Sequence, residues 1–151
     1  FMKGAEGRFQ PFLAKSPGLE SGYMLAHVTA SALASENKTL AHPASVDSIP
    51  TSGGQEDLVS MAPWAGSKLL KIRDNVSNIL AIELLIAGAA YKLNNSKLKP
   101  GKGTGLILKD IKHIIRSDMA DRELSSEINS LKAVIDDGKI FKKLKNKGYL
   151  E

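Results

Sequence analysis

The hydrophobic residues of this chain recur at spacings of three and four, and the strongest such pattern lies at residues 69–86. Its apolar positions cover more than one face of a helix, which is typical of a helix enclosed by other helices. We expect this helix to begin within residues 55–60 and to bend at Pro63 and Gly66. A similar pattern, rich in Ala and Ser, predicts a buried helix over residues 21–40. No run alternates with the period of a β-strand, so the sequence predicts an all-α fold, a bundle of long helices.

Polar segments separate the predicted helices, and the first of them is unusually long. Residues 35–61 contain the turn-forming residues Pro43, Pro50, Gly53 and Gly54. A compact domain rarely spends so many residues on an irregular connection without a functional reason. The segment therefore predicts a functional loop, which we place at residues 42–57 and which ends in the acidic pair Glu56 and Asp57.

The C-terminal part predicts shorter helices after a second linker at residues 94–105. Leu and Ile at helical spacing predict one helix at about residues 106–116 and another at about residues 127–136, which Gly138 closes. The linker contains Gly-Lys-Gly-Thr-Gly at residues 101–105. A phosphate-binding loop instead needs four residues between its first Gly and a Gly-Lys-Ser/Thr, after a buried strand. We therefore interpret the run as a flexible connection and reject a nucleotide site.

Charge changes along the chain near the second linker. Residues 1–91 carry seven Lys and Arg against eight Asp and Glu, whereas residues 92–151 carry fourteen against eight. We predict two regions: residues 1–93 as a central helix-bundle segment with the functional loop, and residues 94–151 as a small, basic, helical C-terminal region. Few aromatic residues accompany the basic ones, so the positive charge is typical of a solvated helix face and predicts no nucleic-acid partner.

The cysteine and histidine content limits the chemistry of the chain. Cysteine is absent, which excludes disulfides, thiolate metal sites and a cysteine nucleophile. The three histidines lack zinc-site spacing, so we predict no metal site. We expect the His27 side chain to be packed and that of His113 to be exposed. His42 either lines a site or caps a helix. No uninterrupted apolar run is long enough to span a membrane, and the first residues lack the order of a secretory signal. We therefore predict no membrane partner and a cytoplasmic location.

On residue type alone, two interpretations are open for Glu56 and Asp57. Carboxylates at the start of a helix interact favourably with its macrodipole, which is a structural role. Alternatively, a turn at Gly53 and Gly54 presents Gln55, Glu56 and Asp57 into a cleft, where a carboxylate can bind a cationic or hydrogen-bond-donating substrate or accept a proton. The second interpretation leaves both Glu56 and Asp57 as candidates for binding or proton transfer.

Several motifs resemble those of the aromatic amino-acid ammonia-lyases, and most closely the branch of that family that acts on histidine. They are Phe12-Leu13, Ser16-Pro17-Gly18-Leu19, Ser21-Gly22-Tyr23-Met24, the run from Ala32 to Ser52, Gln55-Glu56-Asp57 and Val59-Ser60-Met61. The resemblance covers roughly residues 9–90 and fades towards the C-terminus. It implies a segment of the family's long-helix bundle, which assembles as homotetramers with each active site formed by several subunits.

The resemblance also implies a cofactor that this chain does not form. Members of the family carry a methylidene-imidazolone electrophile made from an internal Ala-Ser-Gly. No such triplet occurs in this sequence, and the nearest run is Ala30-Ser31-Ala32. The catalytic tyrosine of the family's N-terminal half is missing as well. The chain therefore resembles the part of the enzyme that follows the cofactor-bearing half, and we expect it to be inactive alone.

One position distinguishes substrate classes within the family that the chain resembles. Phenylalanine and tyrosine ammonia-lyases carry Gln where the histidine branch carries Glu, and this chain has Glu56. A carboxylate can accept a hydrogen bond from an imidazole N–H, whereas a phenyl ring would leave its charge uncompensated. The resemblance implies that Glu56 binds substrate and assists proton removal, with Gln55 as a neighbouring polar contact. Leu58 and the pair Gly53–Gly54 depart from the family's His and Ala-Asn.

Three hypotheses about function remain open. In the first, the chain is the C-terminal portion of an enzyme that eliminates ammonia from L-histidine to give urocanate, and its partners are the remainder of that enzyme, further subunits and a small amino-acid substrate. In the second, the enzyme is an ammonia-lyase or aminomutase acting on another aromatic amino acid. In the third, the chain is a non-catalytic helical assembly module.

Overall fold

The computed structural model describes residues 9–94, 99–116, 118 and 120–150, which form α-helices and no β-sheet. The helices are α1 (Met24–Leu40), α2 (Ala62–Leu93), α3 (Lys102–Ile111), α4 (Ser125–Asp136) and α5 (Lys139–Asn146). Short 3-10 turns lie at Pro11–Leu13 and Ser52–Gly54. The predicted all-α class is confirmed.

The long helix α2 is the centre of the fold, because α1 and α4 both pack against it. It runs without interruption for 32 residues. Pro63 lies in its first turn, where a missing N–H costs no helical hydrogen bond, so the predicted bend at Pro63 and Gly66 is wrong. The predicted start within residues 55–60 is also wrong, because those residues belong to the turn and the irregular outgoing arm of the preceding loop.

By length and composition, α2 is able to cross a membrane, since an 18-residue window has a mean hydropathy of 1.5. The expectation that no segment is long enough is therefore corrected, because the few charged residues in the window do not offset its apolar ones. In the structure 39% of that window is buried by other described residues. The core helix of a globular protein meets the same criterion, so the finding is weak evidence for a membrane span.

The hydrophobic core draws residues from both halves of the chain. Its fully packed members are Leu13, Tyr23, Ala81, Leu85, Ala89, Ala90, Ile111, Ile115 and Leu131. Small side chains on α2 let the neighbouring segments approach closely, and a methyl group added at Gly88 would clash with Ile115. The described residues on both sides of position 94 therefore contribute to one core, and the separation into residues 1–93 and 94–151 stays a prediction.

The helix α1 agrees with the predicted span of residues 21–40 but not with the predicted burial. Ala26 is its only buried residue, and Leu25 and Val28 are 63% and 54% exposed. His27 is exposed as well, so the expectation that it is packed is wrong. The reason is that α1 makes its main contact along one side, against α2, which leaves much of its remaining surface exposed.

The C-terminal helices match the sequence patterns with shifted ends. Helix α3 begins at Lys102, so the Gly-rich run that we interpreted as a flexible connection forms its first turns, and the helix ends before residue 116. Helix α4 agrees with the predicted helix at residues 127–136. Gly138 follows it with a φ of 66°, in the left-handed conformation that favours glycine. The predicted exposure of His113 is confirmed.

Candidate functional site

The predicted functional loop folds as an ordered turn between α1 and α2. The Thr51 N–H donates to the Glu56 carbonyl at 2.9 Å, and the Glu56 N–H donates to the Thr51 carbonyl at 3.3 Å. Inside this closed turn, φ is 56° at Ser52, 66° at Gly53 and 90° at Gly54. A methyl group at either glycine would meet no atom within 4 Å. Glycine is therefore required by the backbone conformation and not by crowding.

The turn presents a row of polar side chains to the outside of this chain. Gln55, Glu56 and Asp57 are all exposed. No hydrogen bond or ion pair within the described part of the chain engages the Glu56 carboxylate. The helix α2 begins only at Ala62, so Glu56 and Asp57 are not part of its first turn and the macrodipole interpretation is wrong. The Glu56 carboxylate is thus available to a group outside this segment.

Two contacts fasten the arms of the loop to each other and to α2. The Val59 N–H donates to Ser48 Oγ at 2.8 Å, which ties the outgoing arm to the incoming one. Lys68 of α2 donates from Nζ to the carbonyl of His42, where the loop leaves α1. The His42 side chain is exposed and borders a shallow cleft of about 270 Å³ next to Pro43 and Lys68. The backbone of His42 therefore serves as an anchor, and its side chain stays a candidate for lining a site.

Apolar side chains of the loop and of the first half of α2 remain uncovered in this chain. The exposed set consists of Val46 (77%), Ile49 (59%), Leu58 (82%), Trp64 (60%), Leu69 (64%) and Leu70 (61%). Large apolar surfaces of this kind mark places where another protein surface packs. The candidate site is thus an exposed carboxylate and amide bordered by apolar side chains.

A buried polar cluster, which sequence reasoning missed, lies at the opposite end of α1. Arg122 Nε and Glu127 Oε1 are 2.7 Å apart, with side chains 11% and 8% exposed, and Arg122 also donates to the Tyr23 hydroxyl at 3.0 Å. Burial raises the pKa of Tyr23. The hydrogen bond to Glu127 raises the pKa of Arg122 above its ordinary value. We refer to Tyr23, Arg122 and Glu127 as the Arg122 cluster.

The neighbouring Asp121 extends this cluster to the entrance of α1. Its carboxylate accepts hydrogen bonds from the backbone N–H of Ser21 at 2.9 Å and of Gly22 at 2.7 Å. Two residues in sequence, Asp121 and Arg122, thereby hold the N-terminal segment against the C-terminal part. The sequence carries no signal for this contact, because about a hundred residues separate its partners.

The sequence contains no Ala-Ser-Gly triplet, the run from which the resemblance implies that an electrophile forms. The nearest run to Ala-Ser-Gly is Ala30-Ser31-Ala32, which lies inside α1 with Ser31 Oγ donating to the His27 carbonyl at 3.0 Å. The run is thus part of a regular helix and lacks the glycine of the triplet. Among residues 9–94, 99–116, 118 and 120–150, no cluster of three or more His, Asp or Glu is arranged to hold a metal ion.

Comparison with known proteins identifies relatives of this segment. A histidine ammonia-lyase of Burkholderia multivorans is 55% identical over 114 residues, which cover 76% of this chain and 21% of the relative. The crystal structure of histidine ammonia-lyase from Trypanosoma cruzi superimposes with a TM-score of 0.88 at 36% identity, over 99% of this chain and 29% of that one. Tyrosine aminomutase from Streptomyces globisporus superimposes with a TM-score of 0.83 at 26% identity, over 91% of this chain and 26% of that one.

The chain therefore corresponds to one part of a larger fold. It spans about a fifth of the length of the curated relative from Burkholderia. The family described as aromatic amino acid lyase matches residues 2–113, which is most of the sequence. The sequence motifs, the helical architecture and these similarities agree, and the chain belongs to the aromatic amino acid lyase family.

Proposed function

We propose that this chain is a segment of a histidine ammonia-lyase, an enzyme that eliminates ammonia from L-histidine to give urocanate. The observation that carries the proposal is Glu56, held in a closed turn with its carboxylate exposed. The identity of 55% to the Burkholderia histidine ammonia-lyase supports it. The lower identity of 26% to the tyrosine aminomutase supports the alternative less well.

In this proposal Glu56 recognises the substrate by charge and hydrogen bonding. Its carboxylate accepts a hydrogen bond from an imidazole N–H of histidine, which a phenyl or phenol ring cannot donate from the same position. Exposed in this chain, the carboxylate would be enclosed by the rest of the enzyme, and enclosure strengthens such a bond. Gln55 contributes a second polar contact next to it, and Glu56 also assists removal of the β-proton.

The proposal includes partners that this chain lacks. The electrophile of the family, a methylidene-imidazolone group, supplies the activation of the substrate and would have to come from residues outside this segment. The apolar side chains around the loop are the surface on which the remainder of the enzyme and further subunits of a homotetramer would pack. Alone, the segment is expected to be inactive. The absence of cysteine is consistent with a cytoplasmic location, which we also propose.

The direct test is an ultraviolet assay on the complete lyase polypeptide that carries this segment. L-Histidine, L-phenylalanine and L-tyrosine are supplied in separate reactions, and urocanate or the corresponding arylacrylate is followed by absorbance. Urocanate from histidine with no product from the other two is the expected result. Turnover of phenylalanine or tyrosine alone would replace the proposal by the lyase or aminomutase for another aromatic amino acid. No turnover by folded protein would favour the helical assembly module.

A further inference from the structure

Three polar contacts that the proposed chemistry does not use lead from α2 and the end of α1 into the loop that carries Glu56. The first involves Asn75, a buried amide in the middle of α2, which is 5% exposed. Its Nδ2 donates to Glu36 Oε2 at 2.8 Å and to Asn37 Oδ1 at 2.9 Å. Both protons of the buried amide are therefore satisfied by the last turns of α1, and removing either partner would leave a buried donor unpaired.

The second contact lies at the point where the chain leaves α1. Lys68 precedes Asn75 on α2 by about two helical turns, on the same face, and its ammonium group donates to the His42 carbonyl. A cation at a helix C-terminus satisfies an otherwise unpaired carbonyl and interacts favourably with the macrodipole. Lys71 lies between Lys68 and Asn75 on this face of α2, and its ammonium group pairs with the Glu36 carboxylate at 2.6 Å. Its side chain is 58% exposed, so this outer pair contributes little.

The third contact lies within the loop and joins its two arms. Ser48 Oγ accepts the hydrogen bond of the Val59 N–H at 2.8 Å and so joins the incoming and outgoing arms. Beyond this bond the chain closes at Thr51 and Glu56 through two backbone hydrogen bonds. The position of Glu56 relative to α2 thus depends on a continuous path: Asn75 holds α1, Lys68 holds the start of the loop, and Ser48 holds its two arms together.

We propose that Asn75, Lys68 and Ser48 are positioning residues that act together as a loop clamp, setting where the Glu56 carboxylate meets the substrate. None of the three is assigned a contact with substrate, and their influence passes through Glu56. This inference rests on the proposed function for its kinetic consequence, whereas its structural consequence, a rigid loop, is independent of the substrate. A misplacement of a reacting group by about 1 Å can lower the rate by about a hundredfold, so small shifts of the loop are sufficient.

The variants that test the loop clamp are Lys68→Met, Ser48→Ala and Asn75→Leu in the complete lyase polypeptide. Lys68→Met retains most of the aliphatic stem, Ser48→Ala removes one oxygen, and Asn75→Leu keeps the branching of the side chain but removes its polar atoms. Each should lower kcat/KM by about tenfold or more, with kcat falling more than KM rises. Ser48→Thr retains the accepting hydroxyl and should restore most of the activity. The matched control is Lys132→Met, which removes ion pairs to Asp74 and Asp136 on the side of α2 that faces α4. Its kcat/KM should stay within about twofold of the wild-type value.

Two measurements separate positioning from general stability. In a Glu56→Gln background the loop-clamp substitutions should lower kcat/KM by no more than about twofold further, because they act through the group already removed. Hydrogen exchange of the Glu56 and Val59 amides should accelerate in each variant of the loop clamp and not in Lys132→Met. Additive losses of activity in the Glu56→Gln background, or unchanged exchange of these amides, would overturn the inference.

The exchange experiment also keeps the inference apart from the proposed function. If the wild-type lyase deaminates a different aromatic amino acid, the kinetic comparison is made with that substrate. Faster exchange with the expected loss of activity then supports the loop clamp, even though the histidine assignment has failed. Unchanged exchange overturns the loop clamp whatever the substrate is.

Discussion

The Arg122 cluster offers a sharp prediction about stability, because its ion pair is buried and well satisfied. Glu127 is 6% exposed and accepts hydrogen bonds from Arg122 Nε at 2.7 Å, from the same guanidinium at 3.2 Å and from the Arg116 N–H at 3.0 Å. Glu127→Gln keeps the size of the side chain but removes the charge. It also places an amide N–H against groups that all donate, so at least one of them loses its acceptor.

The expected cost follows from the burial of the charge that remains. Removing one partner of a buried ion pair destabilises proteins by about 3–5 kcal/mol, and the retained carbonyl of Gln places this variant near the lower value of about 3 kcal/mol. That value corresponds to about a hundredfold change in the folding equilibrium. With a urea dependence of about 2 kcal/mol/M, the unfolding midpoint should fall by about 1.5 M.

The assay is urea unfolding of the 151-residue chain followed by far-ultraviolet circular dichroism. The control is Glu123→Gln, an exposed glutamate in the same segment that accepts a hydrogen bond from the Ser125 N–H at 2.8 Å. A Gln carbonyl can still accept that bond, so the midpoint should change little. Hydrogen exchange of the Ser21 and Gly22 amides in the complete lyase provides the same comparison locally, since Asp121 binds both next to the cluster. Equal midpoints for the two variants would refute the argument that the buried ion pair makes a large contribution to stability.

Two further predictions concern packing and pH. Gly66→Ala should stabilise the chain by about 0.5–1 kcal/mol, because an added methyl group meets nothing within 4 Å and Ala favours the helix. Gly88→Ala in the same helix should destabilise the chain by about 1–2 kcal/mol, because the methyl group displaces Ile115. The urea unfolding midpoints of the two variants should therefore shift in opposite directions, and shifts in the same direction would contradict the packing of α2. The hydrogen bond from Lys71, then that from Asn75, lowers the pKa of Glu36 below its ordinary 4.5. The stability that Glu36 contributes is therefore complete above pH 4.5 and is lost as the pH falls through the lowered pKa. Glu36→Gln should flatten the pH dependence of the urea unfolding midpoint in that acid range. An unchanged slope would contradict this prediction.

The sequence was sufficient to predict the helical class and the central helix, because apolar residues on several faces of residues 69–86 admit few other structures. It was misleading about α1, whose apolar positions Leu25 and Val28 are exposed in this chain. Periodicity indicates that a face is buried but not whether the same segment or another part of the protein buries it. The family similarity supplies the reason for the exposure of these α1 side chains, since the chain spans about a fifth of the length of its Burkholderia relative.

The candidate site was predicted by residue type and by resemblance, but its geometry was not. Acidic residues near an apolar run suggested a helix start at Glu56 and Asp57, whereas the positive φ values at Gly53 and Gly54 close a turn before the helix can begin. The contacts of Lys68 with His42 and of Arg122 with Tyr23 join residues far apart in sequence. Neither helical nor strand periodicity encodes such contacts, so they can be identified only from the folded structure.

The central claim, that Glu56 selects histidine, is tested most directly by measuring kcat/KM of the complete lyase for L-histidine in the wild type, in Glu56→Gln and in Asp57→Asn. Asp57 is the matched control, because it is the adjacent exposed carboxylate of the same loop. Losing a hydrogen bond between a charged group and the substrate should lower kcat/KM by about tenfold to a hundredfold in Glu56→Gln, while Asp57→Asn stays within about threefold. Wild-type rates with Glu56→Gln, or equal losses in the two variants, would contradict the claim.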